Sequence, residues 1–479
     1  MKNIKSIKKS YHSIFMVTFI VLANTLFVNA QSKTSLVDHF TDKGYSNAVG
    51  TTQHPAGEYY KGVTYVAYQG PLEDPYVAAY DHATKKWIGP FKAGVSLLGK
   101  NPDKKNDNHG KPALIIDDEG YIHVVFGGHG GLDSHGENTL GNTHLGKMIH
   151  VVSKKPLDIS SWEVLENIPP FGTYNQLVKM DNGDIYLFYR HGAHRSNWVY
   201  QKSTDNARSF DAPVSVLKTK RRSDNLAVDA WYGWFEKAAN NKIIAGYNYH
   251  HCKDEDDNHD GERHNGYYMV MDTKNHKWYN VQGKKLTVPV TKEHADKMTL
   301  VVDTGDSWTV RGTAALDKNG NPHVTYTVGE HLGLIHGGPK QIQHFRWTGK
   351  NWTDGVCANL PVATGDMDLS VSGKISLLLA SKTKDKKGEI SWYHSKDDGV
   401  SFQKGTTLLR RKKMGFTISS MIRNAHPDAQ AIVMGKVGNS DYGKMYLLGD
   451  NGPVQREKSE ANQLTAAEKA QPKKSKKSK

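Results

Sequence analysis

The sequence has very little cysteine: Cys252 and Cys357 are the only two in 479 residues. Two cysteines cannot build a disulfide framework, so a fold of this size must be stabilised mainly by apolar burial. Long apolar runs are also scarce. Beyond the N-terminal segment, no run approaches the length of about 20 residues that a membrane-spanning helix needs. We therefore expect no stable membrane insertion of the mature chain.

The one long apolar run lies at the N-terminus, in a context typical of a secretory signal. It extends from Ile14 to Val28 and follows a stretch with four lysines. Small or apolar residues three and one positions before Gln31 fit a cleavage site, and the run is short for a membrane anchor. We expect residues 1–30 to be removed as a signal peptide and the protein to be secreted, either outside the cell or into the periplasm.

Positive charge is less abundant in the fold than the formal net charge of +14 indicates. Four of these charges are the signal lysines, and residues 453–479 carry eight Lys and Arg against three Glu, which leaves a net charge of +5 for residues 31–452. A mild positive balance favours an anionic partner. In an exported protein it does not predict binding to nucleic acid. Residues 453–479 contain almost no large apolar side chains and are predicted to form a disordered, Lys-rich tail.

One sequence unit recurs along residues 31–452: a turn with Asp, Asn or Gly and an adjoining strand of alternating apolar residues. Seven copies begin at Gly57, Asp117, Asp181, Asn240, Asp317, Ser372 and His426. Their spacing of roughly 55 to 80 residues suits four-stranded blades. We predict an all-β fold, with residues 31–452 forming a seven-bladed β-propeller as the catalytic domain. A pair of β-sandwiches is disfavoured because no linker separates two halves.

Two short segments match the Asp-box pattern of sialidase-like propellers. Ser395–Phe402 reads SKDDGVSF, and Ser203–Phe210 reads STDNARSF, with Ala207 where Gly is usual. In such a box the Asp accepts hydrogen bonds from turn amides and the aromatic residue packs between sheets. The boxes support the fold and say little about activity.

Residues 106–131 contain the first candidate for chemistry. His109 precedes one predicted strand, and His129 follows the next, with a DDEG turn between the strands. The outer ends of such a hairpin meet, so both histidines are expected at one mouth of the sheet. Glycines on both sides of His129 allow something to approach closely. His123 lies within the strand and is expected to pack against a neighbour.

The next unit repeats this geometry with different side chains. Tyr174 precedes one strand, and Arg190 ends its partner after a DNGD turn. Tyr232, at the start of the following unit, is placed to join them. Blades present equivalent ends to one funnel around the propeller axis. A funnel with two His, a Tyr and an Arg offers a general base, a general acid and a carboxylate clamp.

These residues resemble a specific family. The spacing of His109 and His129, followed by FGTY ending at Tyr174 and DNGDIYLFYR ending at Arg190, is similar to the BNR-repeat family that includes the propeller ulvan lyases of polysaccharide lyase families 24 and 25. The resemblance extends from about Asp107 to the last blade. It implies a seven-bladed propeller that cleaves ulvan by β-elimination at a uronic acid next to 3-sulfated rhamnose. It also implies that these four residues, together with Tyr232, form the active site.

The chemistry of elimination suits this set. The proton at C5 of a uronate is removed and the oxygen at C4 is expelled. Arg190 is assigned to the carboxylate, where a cation stabilises the carbanion-like transition state. His129 or His109 is the expected base and Tyr174 the expected acid, although a tyrosine alone could serve both steps. Which residue removes the proton depends on whether glucuronate or iduronate is bound, because their C5 protons lie on opposite faces of the sugar.

A third cluster lies in the stretch from Asn248 to Val270. Strand alternation puts His250 and Cys252 on one face, and the chain then returns to His264. The lyases that the sequence resembles carry zinc, which implies a structural zinc ion held by His250, Cys252 and His264. The alternative is a solvated loop rich in Asp and His. Arg263 is a candidate contact for a substrate carboxylate or sulfate.

Two other functions remain open. A sialidase-like glycoside hydrolase would need three arginines on the carboxylate and a Tyr/Glu pair, and no such arrangement is visible in the sequence. A non-catalytic glycan-binding propeller would use the same funnel but would not need His, Tyr and Arg to converge. The convergence therefore favours the lyase, with an anionic sulfated polysaccharide as substrate.

Overall fold

The structure is a computed structural model that describes residues 35–50, 53–100, 106–219, 228–252, 262–329, 340–355, 360–361, 363–369 and 374–461. The predicted signal peptide and residues 462–479 of the predicted tail lie outside these ranges. None of the described helices is long and apolar enough to cross a membrane.

Regular structure in these ranges is almost entirely strand, which confirms the all-β prediction. The helical elements are α1 (Lys292–Met298) and short 3₁₀ turns at Pro71–Glu73, Leu98–Lys100 and Asp133–His135. The strands in chain order are β1 (Leu36–Val37), β2 (Thr41–Tyr45), β3 (Gly57–Tyr60), β4 (Val63–Gln69), β5 (Pro75–Asp81), β6 (Lys86–Lys92), β7 (Ala113–Ile116), β8 (Ile122–His129), β9 (Leu145–Ser153), β10 (Trp162–Leu165), β11 (Thr173–Lys179), β12 (Ile185–Arg190), β13 (Trp198–Ser203), β14 (Val214–Leu217), β15 (Val228–Ala238), β16 (Lys242–Cys252), β17 (Glu262–Asp272), β18 (Lys277–Tyr279), β19 (Leu300–Val302), β20 (Trp308–Leu316), β21 (Pro322–Gly329), β22 (Lys340–Arg346), β23 (Ala363–Leu369), β24 (Ile375–Lys382), β25 (Lys387–Ser395), β26 (Gln403–Lys412), β27 (Met414–His426), β28 (Ala429–Val437), β29 (Tyr442–Gly449), β30 (Gly452–Pro453) and β31 (Arg456–Glu457).

The strands form local antiparallel sheets in which sequence neighbours pair. These sheets contain β3–β6, β7–β10, β11–β14, β15–β18, β20–β22, β23–β26 and β27–β29. The N-terminal strand β2 completes the last of them by pairing with β29, and β19 pairs with β17. A parallel contact between Arg423 of β27 and Glu58 of β3 joins the last sheet to the first. Each of the seven predicted turn-and-strand units falls at the junction of the first and second strands of one sheet, although Ser372 and Gly373 of the sixth unit lie outside the described residues.

The first strands of successive sheets contact one another in a closed series. β3 contacts β7, β7 contacts β11, β11 contacts β15, and the series continues through β20, β23 and β27 back to β3. The remaining strands of each sheet follow outward from its first strand. This is the radial arrangement of a β-propeller, in which the first strands surround a central channel.

The core lies between neighbouring sheets. The alternation of apolar and polar residues is typical of strands with one buried face. Strand β12, however, is buried at all six positions, because sheets cover both of its faces. Phe188 of β12 stacks on Phe235 of β15 with ring centroids 4.1 Å apart. The indole of Trp198 donates to the carbonyl of Trp231 at 2.7 Å. Each fully buried side chain of this size stabilises the fold by about 1.5–3 kcal/mol.

Both predicted Asp boxes are present with the expected hydrogen bonds. In Ser395–Phe402, the amide and hydroxyl of Ser401 donate to Asp397 at 2.9 and 2.6 Å. Ser209 makes the same two bonds to Asp205 in Ser203–Phe210. Ala207 adopts a φ of 56°, so it takes the left-handed conformation that Gly usually supplies here.

Each Asp-box phenylalanine packs against a buried pair of histidines. Phe210 contacts His150, which bonds His123 at 3.0 Å. Phe402 contacts His344, which bonds His323 at 3.0 Å. His123 is therefore a buried structural residue, as the sequence predicted.

The folded region extends past the predicted boundary at residue 452. Strand β31 pairs with β1, and the guanidinium of Arg456 is buried with hydrogen bonds to the carbonyls of Phe40 and Gly89. Residues 453–461 are thus part of the fold. Val454 also packs against the core, and Ala461 is buried, contacts that composition alone did not reveal.

Candidate active site

The histidine pair forms at one end of the sheet β7–β10. His109 lies just before β7, and His129 is the last residue of β8. The amide of Gly127 donates to the carbonyl of Gly110 at 2.7 Å, which ties the two strand ends together. The imidazoles of His109 and His129 stack with centroids 3.7 Å apart and planes 12° apart. The predicted meeting of these side chains is confirmed.

The glycines near His129 admit the backbone of the next sheet. A side chain at Gly128 would collide with the carbonyl oxygen of Gly172, and one at Gly130 would lie 2.8 Å from the amide nitrogen of Ala193. The close approach predicted from these glycines therefore joins two sheets, and it holds the histidine pair beside β11.

Asp107 binds both imidazoles, and the sequence analysis did not single it out. Its Oδ1 lies 2.7 Å from Nδ1 of His109, and its Oδ2 lies 2.6 Å from Nδ1 of His129. Burial would raise the pKa of Asp107, but its hydrogen bonds with the two histidines hold that pKa below its usual range. Burial lowers the pKa of His109 to about 4, so this imidazole is neutral at pH 7.

Tyr174 reaches the histidines from an irregular point in β11. The pairing of β11 with β12 shifts register between Thr173 and Gln176, and Tyr174 has a φ of 59°. A left-handed backbone at an aromatic residue is strained, and such strain is concentrated at functional sites. The Tyr174 ring centroid lies 5.2 Å from that of His109. Spacing alone could not predict this bulge.

Arg190 is the cationic centre of the site. It ends β12 opposite Thr173, and its side chain is 1% exposed. Its guanidinium carbon lies 4.9 Å from the Tyr174 ring centroid and 5.9 Å from that of Tyr232. Its Nε and Nη1 atoms have no hydrogen-bond partner within the described residues. Buried N–H groups without partners are costly, so this guanidinium is prepared to receive an anion.

Tyr232 and Arg263 border the site on the next sheet. Arg263 Nη2 donates to the hydroxyl of Tyr232 at 3.2 Å, and its guanidinium lies over the same ring at 4.3 Å from the centroid. The neighbouring Trp231 and Trp234 are buried in the core. Among these three aromatic residues, Tyr232 is the one that contacts Arg190 and Arg263. All six predicted catalytic and substrate-binding residues lie in one connected cluster.

The predicted metal ligands lie on adjacent strands behind Tyr232. His250 of β16 is fully buried and pairs with Arg263 of β17, while His264 pairs with Tyr249. The side chain of Cys252 and the loop of residues 253–261 lie outside the described part of the chain. The ring of His194 lies 4.8 Å from that of His250, a neighbour that the sequence analysis missed. The only hint in the sequence that His194 lies near this cluster is its position four residues after Arg190.

A cavity of about 710 Å³ opens at the other end of the channel. Its lining includes Asp118 and Asp181, which lie in turns at the strand ends opposite the histidine pair. The lining carries seven Asp and Glu against five Lys and Arg. An acidic balance disfavours a polyanion, so the end with Arg190 is the better candidate site.

The geometry defines a site for an anionic sugar, with acid–base groups beside a buried cation. Comparisons with known proteins show which family has such a site. Residues 138–359 match the model of a BNR repeat-containing family member. The chain is 54% identical over 443 residues to an ulvan lyase of Nonlabens ulvanivorans, covering 91% of this chain and 94% of that protein. It is 50% identical over 437 residues to the PL25 ulvan lyase of Pseudoalteromonas sp. (strain PLSV), covering 89% of each.

A solved structure gives the same result. A PL25 ulvan lyase bound to -[GlcA(1-4)Rha3S]- superposes with a TM-score of 0.84 at 48% identity, covering 89% of this chain and 98% of that one. The protein is a polysaccharide lyase. The chain belongs to the ulvan lyase family.

Proposed function

We propose that this protein cleaves ulvan by β-elimination at the uronic acid and releases products with an unsaturated uronyl end. The observation that carries the proposal is the buried guanidinium of Arg190 beside Tyr174 and the histidine pair, with its Nε and Nη1 atoms unpartnered among the described residues. The related enzyme solved with a sulfated rhamnose–glucuronate unit supports an anionic sulfated polysaccharide as the substrate class.

The first step is removal of the C5 proton. The substrate carboxylate pairs with Arg190, whose charge stabilises the negative charge that develops as the proton leaves. A neutral imidazole accepts that proton, and His109 is neutral because its pKa is about 4. His129, stacked on it, is the alternative base.

The second step is departure of the C4 oxygen. The electron pair from C5 forms the C4–C5 double bond while the C4–O bond breaks. Tyr174 donates its phenolic proton to the leaving oxygen and recovers a proton afterwards from the imidazolium or from water. In the alternative order, Tyr174 acts as a phenolate: its oxygen accepts the C5 proton, and the phenol so formed donates that proton to the leaving oxygen, which restores the phenolate. Tyr232 and Arg263 border the sugar that carries the carboxylate.

The fold that presents this site is proposed to be a seven-bladed propeller, with its blades formed by strands from β2 to β29. Support comes from the seven first strands that contact one another in a closed series, and from the pairing of β2 with β29 that joins the chain ends in one sheet. Each blade then contributes one strand to the lining of the channel.

A structural zinc ion is proposed behind the site, held by His250, Cys252 and His264. Imidazole and thiolate donors suit zinc, and a tetrahedral structural site takes four ligands, so His194 is the natural fourth. The set fits because His250 is fully buried between Tyr232 and His194. Bound zinc would fix β16 and β17, and therefore Arg263, beside the substrate.

Export is part of the proposal. A polymer such as ulvan is encountered outside the cell, and the N-terminal sequence is typical of a secretory signal. Mass spectrometry of the mature protein from the culture medium or the periplasm tests this, with an N-terminus at Gln31 expected. Retention of residues 1–30 in the mature protein would contradict it.

The experiment that separates the possible functions is incubation of the purified protein with ulvan. The lyase predicts a growing ultraviolet band of unsaturated uronate. A hydrolase would release reducing ends without that band, and a glycan-binding propeller would bind ulvan without either change.

A further inference from the structure

Asp107 holds the two histidines of the site through both of its carboxylate oxygens. Oδ1 pairs with Nδ1 of His109 and Oδ2 with Nδ1 of His129. The backbone amide of His109 also donates to Oδ1 at 2.9 Å. The amide of Asp107 itself donates to Glu73 at 2.7 Å, so its position is fixed from a separate segment.

This geometry sets where each imidazole carries its proton. An ionised carboxylate only accepts hydrogen bonds, so both Nδ1 atoms must be the donors. A neutral imidazole has one ring proton, and its Nε2 is then an acceptor. Both Nε2 atoms can therefore accept a proton from the substrate. In the other tautomer, Nε2 would carry the proton and present an N–H group to the substrate.

The stacking of the rings adds a second consequence. Two imidazolium ions with centroids 3.7 Å apart would repel each other strongly. One shared carboxylate can balance one added proton, so the pair accepts a single proton at a time. That is the number of protons that one elimination delivers.

We propose that Asp107 is a positioning residue of the lyase reaction, which binds Nδ1–H of His109 and of His129 and holds both imidazoles with Nε2 free to accept the C5 proton. The proposal rests on the proposed function, because it assigns the base of that reaction to this pair. It places Asp107 behind the rings, out of contact with the reacting atoms.

Asp107→Asn tests the proposal through kinetics. An amide offers one oxygen and one NH₂, so one of the two histidines loses its acceptor and is driven to the wrong tautomer. We expect kcat on ulvan to fall by about 100-fold or more, with KM little changed. Loss of the negative charge also favours neutral imidazole, so the acid limb of kcat/KM should move to lower pH. The titratable and charged groups that face Asp107 and the pair are Glu73, Lys111, His144, Tyr174 and Arg190.

Asp317→Asn is the matched control. Asp317 also faces a histidine, His323, at 3.8 Å, but in a turn away from the site. This variant should keep the wild-type kcat and pH profile. An Asp107→Asn protein with wild-type kcat and an unmoved acid limb would overturn the proposal.

A second measurement does not depend on activity. In ¹⁵N-histidine-labelled wild-type protein, the ring nitrogens of His109 and His129, assigned with His109→Gln and His129→Gln, should show Nδ1–H and unprotonated Nε2 at neutral pH. An Nε2–H tautomer at either residue would overturn the proposal. This test uses the wild-type protein, so it holds even if the Asp107→Asn variant fails to fold. A wild-type protein that shows these tautomers but does not cleave ulvan would refute the proposed function alone.

Discussion

The guanidinium of Arg190 lies 4.9 Å from the centre of the Tyr174 ring, although Arg190 ends a regular strand and Tyr174 sits in a bulge of the neighbouring one. A carboxylate bound by Arg190 is thereby brought next to Tyr174 and to His109, whose ring lies 5.2 Å from that of Tyr174. Substrate binding and proton transfer thus share one small region.

Tyr174→Phe removes the hydroxyl but keeps the ring against Arg190. If the phenol supplies the proton to the leaving oxygen, turnover should fall by about 10²- to 10⁴-fold. Initial rates from the ultraviolet band measure this, and circular dichroism checks the fold. Tyr121→Phe, at the opposite end of the sheet β7–β10, should keep full activity. Full activity in Tyr174→Phe would remove this residue from the mechanism.

Arg190→Met should abolish turnover without destabilising the protein. In the part of the chain that the structure describes, Nε and Nη1 of the buried guanidinium have no partner, so an apolar side chain of similar length relieves a desolvation cost. We expect a melting temperature equal to or above that of the wild type, measured by scanning calorimetry without substrate. Such an exchange of stability for function is common at active sites.

Arg456→Met is the matched comparison, because Arg456 is also buried but donates to the carbonyls of Phe40 and Gly89. Its melting temperature should fall, since two carbonyls lose their donors. If Arg190→Met is destabilised as much as Arg456→Met, Arg190 is a structural residue.

Acid should destabilise the fold through buried neutral histidines. Burial lowers the pKa of His54, His150 and His344 to about 3. As the pH falls below 6.5, the unfolded chain gains protons on these side chains and the native state does not, so the free energy of unfolding decreases down to about pH 3. Urea denaturation at pH 7 and pH 5 measures the difference.

One substitution tests the cause of that loss. His150→Gln should reduce the difference between pH 7 and pH 5, because it removes one of the buried neutral imidazoles. Equal unfolding free energies at the two pH values in the wild type would contradict this explanation.

The proposed zinc site predicts about one zinc ion per chain. His264→Ala should lose the metal, measured by plasma mass spectrometry, and should melt at a lower temperature. His82→Ala is the control, because His82, His426 and Asp428 form another group with ligand atoms within 4.8 Å of one another. If the His264→Ala variant retains zinc, or if the His82→Ala variant loses it, the metal is bound at a site other than the proposed one.

Sequence patterns predicted the sheets and the site to different extents. Local signals were enough for the hairpins, because turn residues and alternation depend on neighbours in the chain. The same logic brought His109 to His129, since a hairpin joins them. It also predicted that Tyr174 and Arg190 emerge at the same end of their hairpin, and Arg190 indeed pairs with Thr173, one residue from Tyr174.

What the sequence missed depends on contacts between segments. Asp107 precedes His109 by two residues, yet its bond to His129 depends on the loop before β7 folding back. His194 meets His250 across two sheets, and Arg456 is buried only because β31 pairs with β1. The left-handed backbone of Tyr174 depends on the register of β11 and β12. None of these has a local signature in one sequence.

The most direct test of the central claim is the ultraviolet absorbance of unsaturated uronate when the purified protein is incubated with ulvan. The structure predicts that the band grows with time in the wild type and is absent with Arg190→Met at the same protein concentration. A folded wild-type protein that binds ulvan and produces no such band, or an Arg190→Met variant that produces it at the wild-type rate, would contradict the account.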